Sequence, residues 1–199
     1  PKSNPRHYYT VEQLQKLYAL NTKWSNVWKF MANTGLRLHE MQNLQHCDIR
    51  EEAIYVVSTP DSPNKTTSWR LVPLSNNAQE ALKCLTSSVT ICPMVTGKSM
   101  SRAFKREARR AEIPGSLHWL RHTYCSHLVM GGVALEKVQK LAGHSTFKTT
   151  LHYVHLAPGY LQTGVVNIRS HLYQRLHRLQ IVCIYHITFA ITEVMLIAI

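Results

Sequence analysis

Residues 117–128 read LHWLRHTYCSHL, and they pack three histidines and one arginine into twelve positions. The segment reads as a helix. Its polar residues admit three interpretations: a metal site, a solvated basic face, or one part of a catalytic group. The segment alone does not decide between them, so residues far away in the chain have to.

The first two histidines of this segment could chelate a metal. His118 and His122 stand at i and i+4, a spacing that suits a shared metal ion. The zinc-protease pattern places a glutamate beside the first histidine, but Trp119 occupies that position. No cluster of acids or cysteines accompanies the pair. The sequence therefore predicts no metal and no cofactor.

The cysteines indicate a reducing compartment. Five of them are scattered along the chain without a CxxC pair, which disfavours both a disulfide framework and a cysteine-based zinc site. They are typical of small buried side chains. The opening residues PKSNPRHYYT show no secretory signal pattern, so we expect a cytoplasmic protein.

The charge balance indicates a polyanionic partner. The chain carries 23 lysines and arginines against 11 acids, a net charge of +12 at pH 7. Such an excess favours nucleic acid, because lysine and arginine displace the counterions condensed on phosphate backbones. With 45% apolar residues among 199, we expect one packed domain and a short appendage.

Residue periodicity predicts a mainly α-helical domain with a small antiparallel β-sheet, an α+β fold. Helical spacing begins after Thr10, which forms a capping box with Gln13. Two β-branched runs, Ala53–Ser58 and Trp69–Leu74, flank a turn-rich stretch and predict a hairpin. Further helices are predicted over Ser25–Ala32, after Ser75, near Met100–Ala111, over Leu135–Ala142, and from a Ser145 cap to near Tyr153.

The helix predicted near Met100–Ala111 is strongly basic. A solvated face is the commoner meaning of such a run, and a phosphate-facing helix is the functional one. The predicted contacts to the DNA backbone are Arg102, Lys105, Arg106, Arg109 and, later in the chain, Lys148.

Four segments in chain order resemble the tyrosine recombinase (phage integrase) family. They are TGLRLHE at 34–40, NKTTSWRLVPLS at 64–75, LHWLRHTYCSHL at 117–128 and LAGHSTFKTTLHYVHLAP at 141–158. The resemblance covers about residues 9–165, and it implies the DNA breaking-rejoining catalytic domain of that family. The implied activity is site-specific recombination or integration on a mobile genetic element.

The resemblance also implies the chemistry. Tyr153 would attack a scissile phosphate and leave a 3′-phosphotyrosyl link and a free 5′-hydroxyl, without metal or ATP. Arg37 and Arg121 would hold the non-bridging oxygens, where negative charge gathers during attack.

The remaining roles are also carried over from the family. Lys65 would protonate the leaving 5′-oxygen, with Lys98 and Lys105 as substitutes. His118 would serve proton transfer at the tyrosine.

Two further side chains would support these groups. His144 would hydrogen-bond the phosphate, and Glu40 would orient Arg37 or a neighbouring histidine. His122 and His127 are given structural or peripheral parts, and Tyr124 is assigned to the core.

Two other functions share these features. A type IB topoisomerase-like enzyme would use the same chemistry to relax DNA as a monomer, and an inactive DNA-binding module would have kept only the fold. The small single domain favours the recombinase, and the complete catalytic set disfavours the inactive module. Double-stranded DNA is the expected partner, with self-assembly into a dimer or tetramer on it.

The two ends of the chain complete the predicted organisation. Residues 1–8 are interpreted as a linker from an N-terminal DNA-binding domain, and residues 9–165 as the catalytic domain. Residues 166–199 are a basic and then hydrophobic tail that would dock on a neighbouring protomer. The apolar run 181–199 could just span a bilayer, but His186 and Glu193 interrupt it, so a membrane span is disfavoured.

Overall fold

The computed structural model describes residues 7–58, 68–85, 91–92 and 96–158. Over these residues the chain is mainly helical with one small antiparallel sheet, as predicted. The helices are α1 (Val11–Ala19), α2 (Ser25–Thr34), α3 (Leu38–Asn43), α4 (Asn76–Lys83), α5 (Gly97–Arg110), α6 (His118–Met130), α7 (Leu135–Ala142) and α8 (Phe147–Leu151). Short 3₁₀ turns cover His46–Asp48 and Val154–Leu156, and the strands are β1 (Ile49–Arg50), β2 (Ala53–Ser58) and β3 (Ser68–Pro73).

Local signals set most of the helix ends. Thr10 and Gln13 form the predicted capping box, with the Thr10 N–H donating to Gln13 Oε1 at 3.0 Å. Helix α2 ends at Gly35, whose φ of 64° is the left-handed conformation that glycine adopts without strain. Helix α7 ends in the same way at Gly143, with φ 67°. The predicted Ser145 cap is wrong, since Thr146 precedes α8, and that helix stops at Leu151, before Tyr153.

The sheet has the order β1-β2-β3. Strands β2 and β3 pair from Ala53 opposite Pro73 to Ser58 opposite Ser68, which confirms the predicted hairpin. Strand β1 was not predicted, because two residues carry no periodicity. One face of the hairpin is buried and includes Arg70. The residues of the opposite face are exposed: Tyr55, Val57, Trp69 and Leu71.

The core is built around α2. Seven of its ten residues are buried, since α1, α4 and α6 all pack against it. The Trp28 ring stacks on Trp24 at 5.4 Å and meets Phe104 of α5 edge-on at 5.2 Å. This packing holds α6, the helix of the opening segment, against the centre of the domain.

Helix α5 is oriented by a buried acid. Glu107 is 1% exposed, and its carboxylate accepts hydrogen bonds from Trp28 Nε1 at 2.8 Å and Thr22 Oγ1 at 2.7 Å. Because this acid and its apolar neighbours face inward, the basic residues of the helix face outward. Those exposed residues are Lys98, Arg102, Lys105, Arg106, Arg109 and Arg110.

Several predictions fall outside the described residues. These include the linker as far as residue 6, the hairpin tip with Lys65, the end of the catalytic domain at 165 and the tail 166–199. Within the described ranges, none of the helices is long and apolar enough to cross a membrane.

Candidate active site

Three arginines converge on the C-terminal end of α7. Arg70 Nε donates to the Leu141 carbonyl at 2.9 Å, Arg121 Nη2 donates to the Ala142 carbonyl at 2.5 Å, and Arg37 Nη2 donates to the Gly143 carbonyl. The last carbonyls of a helix have no partner within the helix and carry the negative end of its dipole. Three consecutive carbonyls therefore gather three cations from β3, α6 and the turn before α3.

Arg121 is the buried member of this group. It is 4% exposed, and its Nη1 also donates to the Gly35 carbonyl at 2.7 Å. Burial, and next the nearby positive charge of Arg37, lower the pKa of Arg121 to about 10. The side chain therefore stays protonated at neutral pH while being fixed between two turns.

Arg37 is the accessible member. Its side chain is 41% exposed, and Glu40 orients it from one turn along α3. The Glu40 carboxylate accepts from the Arg37 backbone N–H at 2.7 Å and from its Nη1 at 2.9 Å. Arg37 is one of the two kinds of partner that the sequence interpretation offered for Glu40, the other being a neighbouring histidine.

Glu40 also binds Arg70, a residue that has no role in the sequence interpretation. Arg70 Nη1 and Nη2 donate to the two carboxylate oxygens at 2.8 and 2.7 Å. Burial acts to raise the pKa of Glu40, but the hydrogen bonds and charges of Arg70, and then of Arg37, outweigh it and bring the pKa to about 2. The available signal was the position of Arg70 on the buried face of the predicted hairpin.

Tyr153 is 1% exposed, and it meets the end of α7 through His144, the residue that follows Gly143. Its Oη shares a hydrogen bond of 2.6 Å with His122 Nδ1, and its ring lies parallel to the His144 ring at 6.3 Å. His144 Nδ1 in turn lies 3.0 Å from Thr150 Oγ1 on α8. The structure therefore brings Tyr153 and His144 together and buries the tyrosine side chain.

His122 is a functional residue that the sequence interpretation missed. It was given a structural or peripheral part, whereas its Nδ1 lies 2.6 Å from the tyrosine hydroxyl. His118 is exposed, and its ring lies edge-on to the His122 ring at 4.6 Å. The i, i+4 spacing of these two histidines was the signal. It places both rings on one face of α6, in edge-on contact with each other.

Tyr124 packs against the turn that precedes Arg37. It is 8% exposed, and burial is the largest cause that raises its pKa to about 12. A Cβ atom on Gly35 would collide with the Tyr124 ring, so this glycine allows the turn before Arg37 to lie flat on α6. Tyr124 therefore belongs to the core, as predicted.

The other predicted residues divide into two groups. Lys65 lies outside the described residues, so its distance to the site is not defined. The substitutes Lys98 and Lys105, and the predicted DNA contacts on α5, are exposed on that helix, and Lys148 is exposed on α8. Among the described residues, there is no group of three or more histidine, cysteine, aspartate or glutamate side chains placed to hold a metal ion.

Comparison with known proteins identifies relatives over most of the chain. The integrase of Haemophilus phage HP1 is 31% identical over 139 residues, which cover 66% of this chain and 37% of that protein. Tyrosine recombinase XerC of Thermodesulfovibrio yellowstonii is 31% identical over 153 residues, 65% of this chain and 49% of that protein. The matched region thus spans about half or less of the length of these relatives.

A solved structure agrees with these relatives. The catalytic domain of bacteriophage HP1 integrase superposes with a TM-score of 0.62 at 26% identity, covering 79% of this chain and 92% of that domain. The model of the phage integrase family matches residues 8–159, which include all three arginines and Tyr153. The chain therefore belongs to the phage integrase family of tyrosine recombinases, whose catalytic domain it folds into.

Proposed function

We propose that this chain is the catalytic domain of a site-specific DNA recombinase. It cuts and rejoins strands through a 3′-phosphotyrosyl intermediate, without metal or ATP. The observation that carries this proposal is the convergence of Arg37 and Arg121 on the end of α7, beside the hydrogen-bonded pair of Tyr153 and His122.

The two arginines form the phosphate clamp. During attack the non-bridging oxygens of the phosphate gain negative charge, and positioned cationic donors stabilise that charge without reorganising. Arg121 is fixed by two carbonyls, and Arg37 presents a half-exposed guanidinium toward solvent. His144, stacked on Tyr153, adds a hydrogen bond to the same phosphate.

The histidines of α6 handle the tyrosine proton. Tyr153 Oη bonds to phosphorus while the bond from phosphorus to the 5′-oxygen breaks, and the phenolic proton passes to His122. The exposed His118 ring, which contacts His122, provides the route by which that proton reaches solvent. Lys65 protonates the 5′-oxygen, which leaves as a hydroxyl.

Duplex DNA must change the position of Tyr153. A nucleophile and its phosphorus need to approach to about 3–3.5 Å, and a hydroxyl that is 1% exposed cannot do so. The short α8 and the 3₁₀ turn at Val154–Leu156 carry the tyrosine, so this segment shifts when the phosphate enters the clamp. Tyr153 therefore becomes able to attack only after DNA has bound.

The partner is double-stranded DNA, held on its backbone by the exposed face of α5 and by Lys148. The net charge of +12 favours such contacts. Recombination joins two duplexes, so we expect assembly into a dimer or tetramer on DNA, with the basic and hydrophobic tail docking on a neighbouring protomer. The reaction serves integration, excision or dimer resolution of DNA in the cytoplasm.

A covalent trapping experiment tests this function. The chain is incubated with a pool of nicked suicide duplexes of randomised sequence, and SDS-resistant protein–DNA complexes are recovered and sequenced. The wild type and Tyr124→Phe should form such complexes, Tyr153→Phe should not, and EDTA should change nothing.

Three outcomes would count against the proposal: no complex with the wild type, a complex with Tyr153→Phe, or loss in EDTA. The recovered sequence then separates recombinase from topoisomerase. A recombinase joins two duplexes that carry this sequence, whereas a topoisomerase-like enzyme only relaxes a supercoiled plasmid.

A further inference from the structure

Arg70 connects the sheet to the candidate active site. It lies on β3 between Trp69 and Leu71, which are 73% and 40% exposed, whereas Arg70 itself is 9% exposed. Alternation along the strand therefore directs this one cation into the domain. Burying a guanidinium costs free energy unless its N–H groups find hydrogen-bond acceptors, so the acceptors of Arg70 show which parts of the fold it holds.

Those contacts reach the start of α3 and the end of α7. Nη1 and Nη2 donate to the two oxygens of Glu40, which lies in the first turn of α3 next to Arg37. Nε donates to the Leu141 carbonyl, next to the carbonyls that bind Arg121 and Arg37. The Arg70 side chain also fills the space over Gly143, where an added Cβ would lie 2.9 Å from its Cδ. Arg70 therefore fixes the separation between the start of α3 and the end of α7.

The second consequence is electrostatic. Glu40 accepts hydrogen bonds from both arginines, two from Arg37 and two from Arg70. If Arg37 were the only partner of Glu40, the carboxylate would cancel its charge. With Arg70 present, one negative charge is shared by two cations, so Glu40 orients Arg37 while the cluster keeps a net positive charge for a phosphate.

We propose that Arg70 is a positioning residue for the strand-transfer reaction. It acts through Glu40, which it shares with Arg37, and it leaves the phosphate clamp both aligned and positively charged. This inference rests on the proposed function and assigns to it a residue of the sheet that acts through Glu40.

The test measures single-turnover formation of the covalent complex on the suicide duplex recovered above, at saturating DNA. Arg70→Met should slow this step by roughly 100-fold, as expected for a misplaced catalytic group. Arg70→Lys should be intermediate, because lysine keeps the charge but cannot span both Glu40 oxygens and the Leu141 carbonyl. Lys29→Met, which breaks the exposed ion pair with Glu80, is the matched control and should react at the wild-type rate.

A double-mutant cycle with Glu40→Gln separates positioning from folding. Because Arg70 acts through Glu40, Arg70→Lys should slow the Glu40→Gln protein much less than it slows the wild type. Thermal unfolding and DNA affinity of Arg70→Lys are measured alongside, and they should change too little to account for the slower reaction.

Failure of this inference differs from failure of the function. If the wild type forms no covalent complex, the proposed function is wrong. If the wild type forms the complex and both Arg70→Lys and Arg70→Met react as fast as the wild type, the positioning role is wrong. The positioning role is also wrong if the rate losses caused by Arg70→Lys and Glu40→Gln simply multiply in the double variant. The same holds if partial unfolding of Arg70→Lys accounts for its whole loss of rate.

Discussion

Two arginine-rich regions of this domain look alike in the sequence and differ in the structure. On α5, Arg102, Arg106 and Arg109 project into solvent from a helix held by the buried Glu107. At the end of α7, Arg121 and Arg70 are 4% and 9% exposed, and carbonyls or a carboxylate occupy their donors. The composition of a segment therefore shows that it is cationic, but burial and hydrogen bonds decide whether a cation is fixed for chemistry or available for general binding.

The comparison predicts its largest difference for Arg121. Arg121→Lys should slow covalent complex formation by roughly 100- to 1000-fold, because lysine cannot reproduce a rigid two-armed contact to an oxyanion. It should also lower the free energy of unfolding by about 1–3 kcal/mol, since the carbonyls of Gly35 and Ala142 cannot both keep their buried donor. Single-turnover cleavage and urea denaturation measure the two effects.

Arg109→Lys on α5 is the matched substitution. It should leave both quantities within experimental scatter, because the side chain is exposed and its charge is kept. If Arg109→Lys and Arg121→Lys changed the cleavage rate and the free energy of unfolding equally, α5 and the end of α7 would not differ in the way proposed.

The histidines of α6 provide the next largest contrast. His122 is 8% exposed and contacts Tyr153 Oη, whereas the neighbouring His118 is exposed. His122→Gln should slow cleavage by roughly 100-fold through loss of a proton acceptor, and His118→Gln should slow it less. The pH dependence of the single-turnover rate is the measurement, and a larger effect at His118 would return the proton transfer to the residue that the sequence favoured.

How far the sequence predicted this site depends on the kind of contact. Arg37, Arg121, His144 and Tyr153 lie in local motifs, and the structure brings them together. Arg70 and His122 were missed, because their importance comes from contacts across 30 and 31 residues with Glu40 and Tyr153. The helix ends at Gly35 and Gly143 were predictable, because a glycine that can adopt the left-handed conformation is a local signal. Strand β1 was not predictable, because two residues are too few to show a periodic pattern.

The exposed region should show itself in DNA affinity. Replacing Arg102, Arg106 and Arg109 with glutamine should reduce the slope of log affinity against log salt by about 0.9 for each phosphate that the variant no longer neutralises. The cleavage rate at saturating DNA should stay unchanged, because the proposed chemistry does not use these side chains. Fluorescence anisotropy at several salt concentrations measures the slope. An unchanged slope would show that α5 does not face the DNA backbone.

The smallest predicted effect is the acid sensitivity of the buried region. The pKa of Glu40 is about 2 in the folded protein, below its ordinary value of 4.5. Its carboxylate therefore stabilises the fold fully above pH 4.5, and this contribution is lost progressively as the pH falls from about 4.5 through 2. Between neutral pH and about pH 3 the wild type should therefore lose about 2 kcal/mol more stability than Glu40→Gln. Urea unfolding at the two pH values measures this difference. Glu80→Gln, which removes an exposed carboxylate paired with Lys29, should keep the acid sensitivity of the wild type. If Glu40→Gln is as acid-sensitive as the wild type, the carboxylate between Arg37 and Arg70 is not a tightly held ion, and the buried arginines would then resemble those of α5 more closely than their contacts indicate.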